Sequence, residues 1–343
     1  MLSSTGAMAC VLALTACSSG DTPPSEPTAG PDDSAFKPAL TGLVVTEPQA
    51  LATVPYARFG TINTTWAEVE PRRGEYDFSA VDATLTAERD IRFRLRIRAG
   101  NAAPDWLKDE AGGCVPVDPS TDNGASGCTV RFWQSPFLER FALLMQEVAR
   151  RYEGDWQVVD VANGACSTAY AEPFILGVDG PSLARLADAG LTTPKHRACI
   201  VRSTEAMMSS FTRTRVSISG HGAWEFVDGR SWDAERALLN QLRERYPDRL
   251  VLEDHGLGPD DEVCPAPGEP SATASSWHCY LAGLPAAETP HGWQLTLNDG
   301  LMSDAAWAGI DMGACYLEYA AFQQLSEDER QQVHDALVGN CPG

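Results

Sequence analysis

The residues best suited to chemistry are carboxylates that close apolar, strand-like runs: Glu172, Glu253, Asp254, Asp299 and Glu318. Two facing carboxyl groups, one protonated and one ionised, can do general acid–base or nucleophilic work. Glu172, in Ala169-Tyr170-Ala171-Glu172-Pro173, is the candidate proton donor. Glu318 lies between Tyr316 and Tyr319 in an otherwise apolar run, where a charge needs a partner or a function, and is the candidate nucleophile or base. Asp254-His255 is the best substitute pair, while Asp299, beside Gly300, reads better as a turn residue.

A second pattern is Arg92-Phe93-Arg94-Leu95-Arg96-Ile97-Arg98. Strand alternation puts every arginine on one face, and buried guanidinium groups require carboxylate partners, of which Asp160 is one candidate. Arg98, nearest the strand end, is the candidate for binding an acidic or highly hydroxylated substrate. Trp66, Trp106 and Trp224 are candidate apolar platforms. His221, in Ser219-Gly220-His221-Gly222, can hydrogen-bond a hydroxyl, and Asn163, Asp254 and Asn298 complete the candidate binding set.

Eight strands must position these groups: 41–46, 58–64, 91–98, 157–162, 215–219, 249–253, 293–297 and 313–318. Helices are expected between them at 79–88, 136–152, 203–212 and 234–246. Another at 326–337 follows a Ser326/Glu329 capping box. Eight strands alternating with helices and no composition break imply an α/β fold, a single (β/α)8 TIM barrel over 39–343. Such a barrel carries its chemistry at the strand C-termini. A doubly wound sheet is the runner-up, but no Gly-rich phosphate turn follows an early strand.

The segment Trp66-Ala67-Glu68-Val69-Glu70-Pro71-Arg72-Arg73-Gly74-Glu75-Tyr76-Asp77-Phe78 resembles the W-x-x-x-E-P-x-x-G-x-Y-x-F stretch of barrel glycoside hydrolases of the β-galactosidase-like families. Asn101-Ala102-Ala103-Pro104-Asp105-Trp106-Leu107 resembles their loop after strand three. The resemblance implies a barrel that cleaves glycosidic bonds with two carboxylates. Those families place Asn-Glu after strand four and Glu after strand seven. Here strand four ends Ala162-Asn163-Gly164, and strand seven ends Leu297-Asn298-Asp299.

The chain has 343 residues and a formal charge of −21, which opposes a phosphate backbone or a polybasic membrane contact. There is no H-E-x-x-H, G-x-S-x-G, Walker A or Rossmann fingerprint, so no cofactor is expected. Residues 7–16 read as a signal-peptide core, and Leu14-Thr15-Ala16-Cys17 resembles a bacterial lipobox. Lipidation would then fall on Cys17, and residues 17–38, rich in Pro, Ser and Asp, would form a flexible linker. The other eight cysteines beyond Cys10 suggest disulfides in an exported chain, and sequential pairing closes the shortest loops. No C-x-x-C occurs, so no metal site is expected.

The sequence therefore points to an extracytoplasmic glycoside hydrolase acting on an oligo- or polysaccharide. It would touch the membrane only through a lipid anchor at Cys17 and would have no nucleic-acid partner. A non-catalytic carbohydrate-binding barrel lipoprotein is the alternative from another class. A solute-binding lipoprotein for a transporter fits less well, since such proteins are two-lobed.

Overall fold

The computed structural model describes residues 36–119, 126–220, 225–227, 229–258, 264, 277–284, 289–295, 302–320 and 322–341. Eight strands close into a barrel: β1 (Gly42–Val45), β2 (Phe59–Thr65), β3 (Arg92–Arg98), β4 (Val158–Ala162), β5 (Arg215–Gly220), β6 (Leu250–Leu257), β7 (His291–Leu295) and β8 (Tyr316–Tyr319). Every neighbouring pair is parallel, and β8 returns to β1 through Gly42 opposite Tyr316. The helices between and after the strands include α1 (Ser79–Ala87), α2 (Ser135–Tyr152), α3 (Thr193–Ser210), α4 (Trp232–Arg245), α5 (Trp277–Ala282), α6 (Met302–Asp311) and α7 (Glu327–Asn340), besides others at Trp66–Val69, Asp105–Glu110 and Gly180–Asp188. This is the (β/α)8 TIM barrel.

The sequence explains the helices. In α2, Phe137, Phe141, Leu144, Val148 and Tyr152 recur at helical spacing and are all buried. Helix α3 begins ten residues before the expected 203. The Thr192 side chain accepts from the Lys195 amide and Pro194 occupies the first turn, a start signal that outranks Ser203. Ser326 caps α7 by accepting from the Glu329 amide, as the capping box predicts. Strand β7 starts at His291, two residues before the expected 293, and residues 296–297 of that expectation lie outside the described residues.

The strands are apolar outward, where Phe93, Leu95, Ile97, Val216, Ile218, Leu252, Trp293 and Leu317 join one buried cluster. Four disulfides staple the connections: Cys114–Cys128, Cys166–Cys199, Cys264–Cys279 and Cys315–Cys341. This is the sequential pairing. At the chain's entry, the Lys37 ammonium donates to the carbonyls of Tyr152, Asp155 and Val158 below the barrel. Residues 36–343 form one compact unit, and the expected signal segment and nearly all of the expected linker lie outside the described residues.

The motif around Trp66 acquires a structural explanation. The Trp66 indole N–H donates to Glu70 Oε2 at 2.8 Å, and the Gly74 amide donates to Glu70 Oε1 at 2.8 Å. Gly74 sits at φ +76°, a turn conformation that favours glycine. Trp106, from the loop after β3, donates its indole N–H to the Glu70 carbonyl at 3.1 Å. One glutamate thus knits the two motif segments into the rim of the barrel.

Candidate active site

Strand parity decides which side chains face the barrel interior. On β3, Phe93, Leu95 and Ile97 pack outward, so Arg94 and Arg96 point inward. On β6, Leu252 packs outward and Glu253 and His255 turn inward. Tyr316 and Glu318 on β8 and Asp160 on β4 complete the ring.

Arg94 is its hub. Nε donates to Asp160 Oδ1 at 2.8 Å, and Nη1 lies 2.5 Å from Glu253 Oε2 and 2.8 Å from Glu318 Oε2. Nη2 donates to the Tyr316 hydroxyl at 2.8 Å, which in turn donates to Glu253 Oε2 at 2.7 Å. Arg96 adds a 2.9 Å contact to Glu318 Oε2, and Thr61 donates to Glu318 Oε1 at 3.1 Å. Burial alone would raise the Glu253 and Glu318 carboxyls. The charges outweigh it, chiefly Arg94 at Glu253 and Arg96 at Glu318, and hold both below the usual carboxylate range. Asp160 goes the other way: burial raises it despite Arg94, and its Oδ2 has no partner.

Above this layer the network reaches the mouth. His255 Nε2 lies 3.2 Å from Glu253 Oε1 and 3.4 Å from Arg96 Nη2, and His255 Nδ1 meets Glu172 Oε1 in a short hydrogen bond. Glu172 Oε2 has no partner. Burial opposes charge on both groups. For His255, Glu253 and Glu172 outweigh it and raise the imidazole to about 9. For Glu172, His255 and Arg96 outweigh it and lower the carboxyl. Glu172 side-chain exposure is 11%, against 0–2% for Asp160, Glu253 and Glu318.

The loop carrying Glu172 is fixed by its own chemistry. A Cβ on Gly164 would stand 2.4 Å from the Ile97 carbonyl, so only glycine lets the loop press against β3. The Asn101 amide donates to the Thr168 carbonyl at 2.9 Å, and the Thr168 hydroxyl donates to the Leu176 carbonyl at 3.1 Å. Cys166, at φ +60°, is tied to α3 by its disulfide.

The other expected site residues fall into three groups. Trp66 is not a platform: it is fully buried against Phe137 and Phe141. Asn163 is turned away from the mouth, donating to Ser203 and Thr204 of α3 at 3.1 and 3.0 Å. Asp254 has the opposite parity to Glu253 and His255, accepts from the Gly256 amide and faces His278 of α5. Glu318 is sealed below two arginines, whereas a nucleophile must touch its substrate. Trp106 is half-buried and lines a cleft of ≈ 490 Å³ on the rim with Pro71, Asn101, Pro104 and Lys108. Arg98 is exposed at the end of β3, opposite Thr65. His221, Trp224 and Asn298 lie outside the described residues.

The sequence reading missed His255 and Glu253 as partners. The signal was present in strand six, where the apolar Leu250 and Leu252 fix the outward parity and leave Val251, Glu253 and His255 inward. Ligand atoms of Glu253, His255 and Glu318 lie within 4.8 Å of one another, a spacing that suits a metal ion. Two guanidinium groups already occupy the inner carboxylate oxygens, so the cluster is a ring of ion pairs.

Residues 50–164, about a third of the chain, match the β-galactosidase family of glycoside hydrolases, family 42. Among solved structures, the catalytic domain of β-amylase from Paenibacillus polymyxa superposes with a TM-score of 0.59 at 10% identity, covering 89% of this chain and 100% of that one. The β-galactosidase from Rahnella sp. R3 gives 0.51 at 12% identity, covering 89% and 57%. The β-galactosidase from the psychrophilic Marinomonas ef1 gives 0.51 at 12%, covering 87% and 59%. The chain thus spans less than two thirds of either β-galactosidase. No curated protein matches it in sequence. At these identities the structures establish the TIM-barrel fold, and the family match on that fold supports a glycoside hydrolase.

Proposed function

We propose that this chain is an exported glycoside hydrolase that cleaves an oligo- or polysaccharide with Glu172 at the mouth of the barrel. One observation carries the assignment. Of the four carboxyl groups in the described barrel network, Glu172 is the least buried, with one oxygen gripped by His255 and the other buried without a partner. Its depressed pKa keeps it ionised at neutral pH, which suits a base or nucleophile and not the proton donor expected from the sequence. Trp106 and Arg98 on the rim offer a ring and a cation to neighbouring sugar units. The four disulfides agree with an oxidising compartment and with a lipid anchor at Cys17.

A second reading, a carbohydrate-binding barrel without catalysis, draws on the sealing of Glu253 and Glu318, since hydrolysis needs two working carboxyl groups. A panel of aryl glycosides and polysaccharides, assayed for released sugar and by calorimetry for binding, separates the two. Turnover of a glycoside supports the hydrolase. Saturable binding without turnover across the panel selects the binding protein.

A further inference from the structure

We infer that His255 is a positioning residue: an imidazolium clamped between Glu172 and Glu253, which holds the mouth carboxylate ionised, fixes its orientation through Oε1 and ties it to the Arg94 layer. The inference rests on the reading of Glu172 as the working carboxylate.

The geometry favours the charge. A neutral imidazole has one N–H and one lone pair. Here Nδ1 faces Glu172 Oε1 and Nε2 faces Glu253 Oε1 at 3.2 Å. The Nε2–H tautomer would set the Nδ1 lone pair against Glu172, and the Nδ1–H tautomer would set the Nε2 lone pair against Glu253 with only the longer Arg96 contact to satisfy it, whereas the imidazolium donates to both carboxylates. Arg96, whose Nη2 lies 3.4 Å from Nε2, opposes that proton, and Glu318, behind Arg96, favours it. Among the described residues, these four groups are the charged neighbours of His255 from its own strand, β3, β8 and the loop after β4.

Charge balance agrees. The enclosed network holds Arg94, Arg96 and His255 against Asp160, Glu172, Glu253 and Glu318. Burial raises the Asp160 carboxyl, although Arg94 and Ser217 both donate to its Oδ1. Among the described residues, three cations face these four carboxyl groups when His255 is protonated, and only two when it is not. Loss of the His255 proton would leave one further carboxylate uncompensated in a medium that tolerates no lone charge.

The connection also has direction. Arg94 holds Glu253 Oε2, Glu253 Oε1 holds His255, and His255 holds Glu172. A three-link chain therefore fixes the mouth carboxylate from the centre of the barrel. Such positioning matters because a misplacement of about 1 Å at a reacting group costs on the order of 10²-fold in rate.

The test uses the full chain labelled with ¹⁵N-histidine, the His255 signals being assigned by their loss in His255→Asn. At pH 7.5 both His255 ring nitrogens are expected to carry protons. In Glu172→Gln the midpoint of the His255 titration should fall by about one pH unit or more. With a hydrolysed glycoside, His255→Asn should lower kcat by about 10²-fold, leave KM within about threefold and abolish an alkaline limb near pH 9. A neutral His255 at pH 7.5, or an unchanged titration in Glu172→Gln, overturns the inference without any need for turnover. An unchanged kcat and pH profile in His255→Asn does so as well. If no glycoside is turned over and His255 is nevertheless an imidazolium bound to Glu172, the hydrolase reading fails and the clamp stands.

Discussion

Arg94→Met provides a quantitative test of the ion-pair layer. Arg94 has no exposed surface and holds Asp160, Glu253, Glu318 and the Tyr316 hydroxyl at 2.5–2.8 Å. Methionine keeps much of the apolar stem but leaves three carboxyl groups facing one another. Removing one partner of a buried ion pair costs about 3–5 kcal/mol, because the remaining charge is stranded away from water. For 308 folded residues the unfolding entropy is about 0.65 kcal/mol per kelvin, so Tm should fall by about 5–8 °C. The loss should shrink at acid pH. Glu253 and Glu318 are held below the usual range by the guanidinium groups, and without Arg94 they take up protons more readily. Scanning calorimetry of both proteins at pH 7.5 and 4.5 reads both effects. A Tm change under about 2 °C, or a deficit no smaller at pH 4.5, would refute the claim that Arg94 neutralises these carboxylates.

Three further outcomes follow from the same structure. Cys166→Ala with Cys199→Ala opens a loop of 33 residues and should cost about 4 kcal/mol, read from the urea midpoint. His255, raised to about 9 from an ordinary 6.5, stabilises fully below pH 6.5 and loses that contribution as pH rises through about 9. Between pH 6 and 10 the wild type should lose about 3 kcal/mol more than His255→Asn, and equal losses would show that the imidazole gains no proton affinity on folding. Trp66→Ala should lower stability by about 3–5 kcal/mol by opening a cavity, and weaker sugar binding at unchanged stability would restore the platform reading.

The barrel was legible because its signal is distributed. Each strand carries an apolar outward face, and the helical stripe of α2 repeats over 18 residues. The arginine alternation on β3 also read correctly: Arg94 and Arg96 face inward, and Arg94 pairs with Asp160. What stayed hidden was local. Helix α5 has only six residues, too few to show a period. Trp66 and Asn163 look like site residues by type, yet a glutamate four residues on claims the indole, and two hydroxyls of α3 claim the amide. Such partners lie on other elements or the adjoining turn, and strand periodicity carries no record of them. The Glu172–His255 contact joins residues 83 apart, so only the closed barrel brings them together.

The central claim, that Glu172 does the chemistry while Glu318 holds the barrel, is tested most directly by comparing two amide variants on one hydrolysed glycoside. Glu172→Gln should keep its fold and lose about 10²–10⁴-fold in kcat. Glu318→Gln, which strips a partner from Arg94 and Arg96, should show its main loss in Tm. A Glu172→Gln enzyme that retains kcat within about fivefold of the wild type would contradict the account.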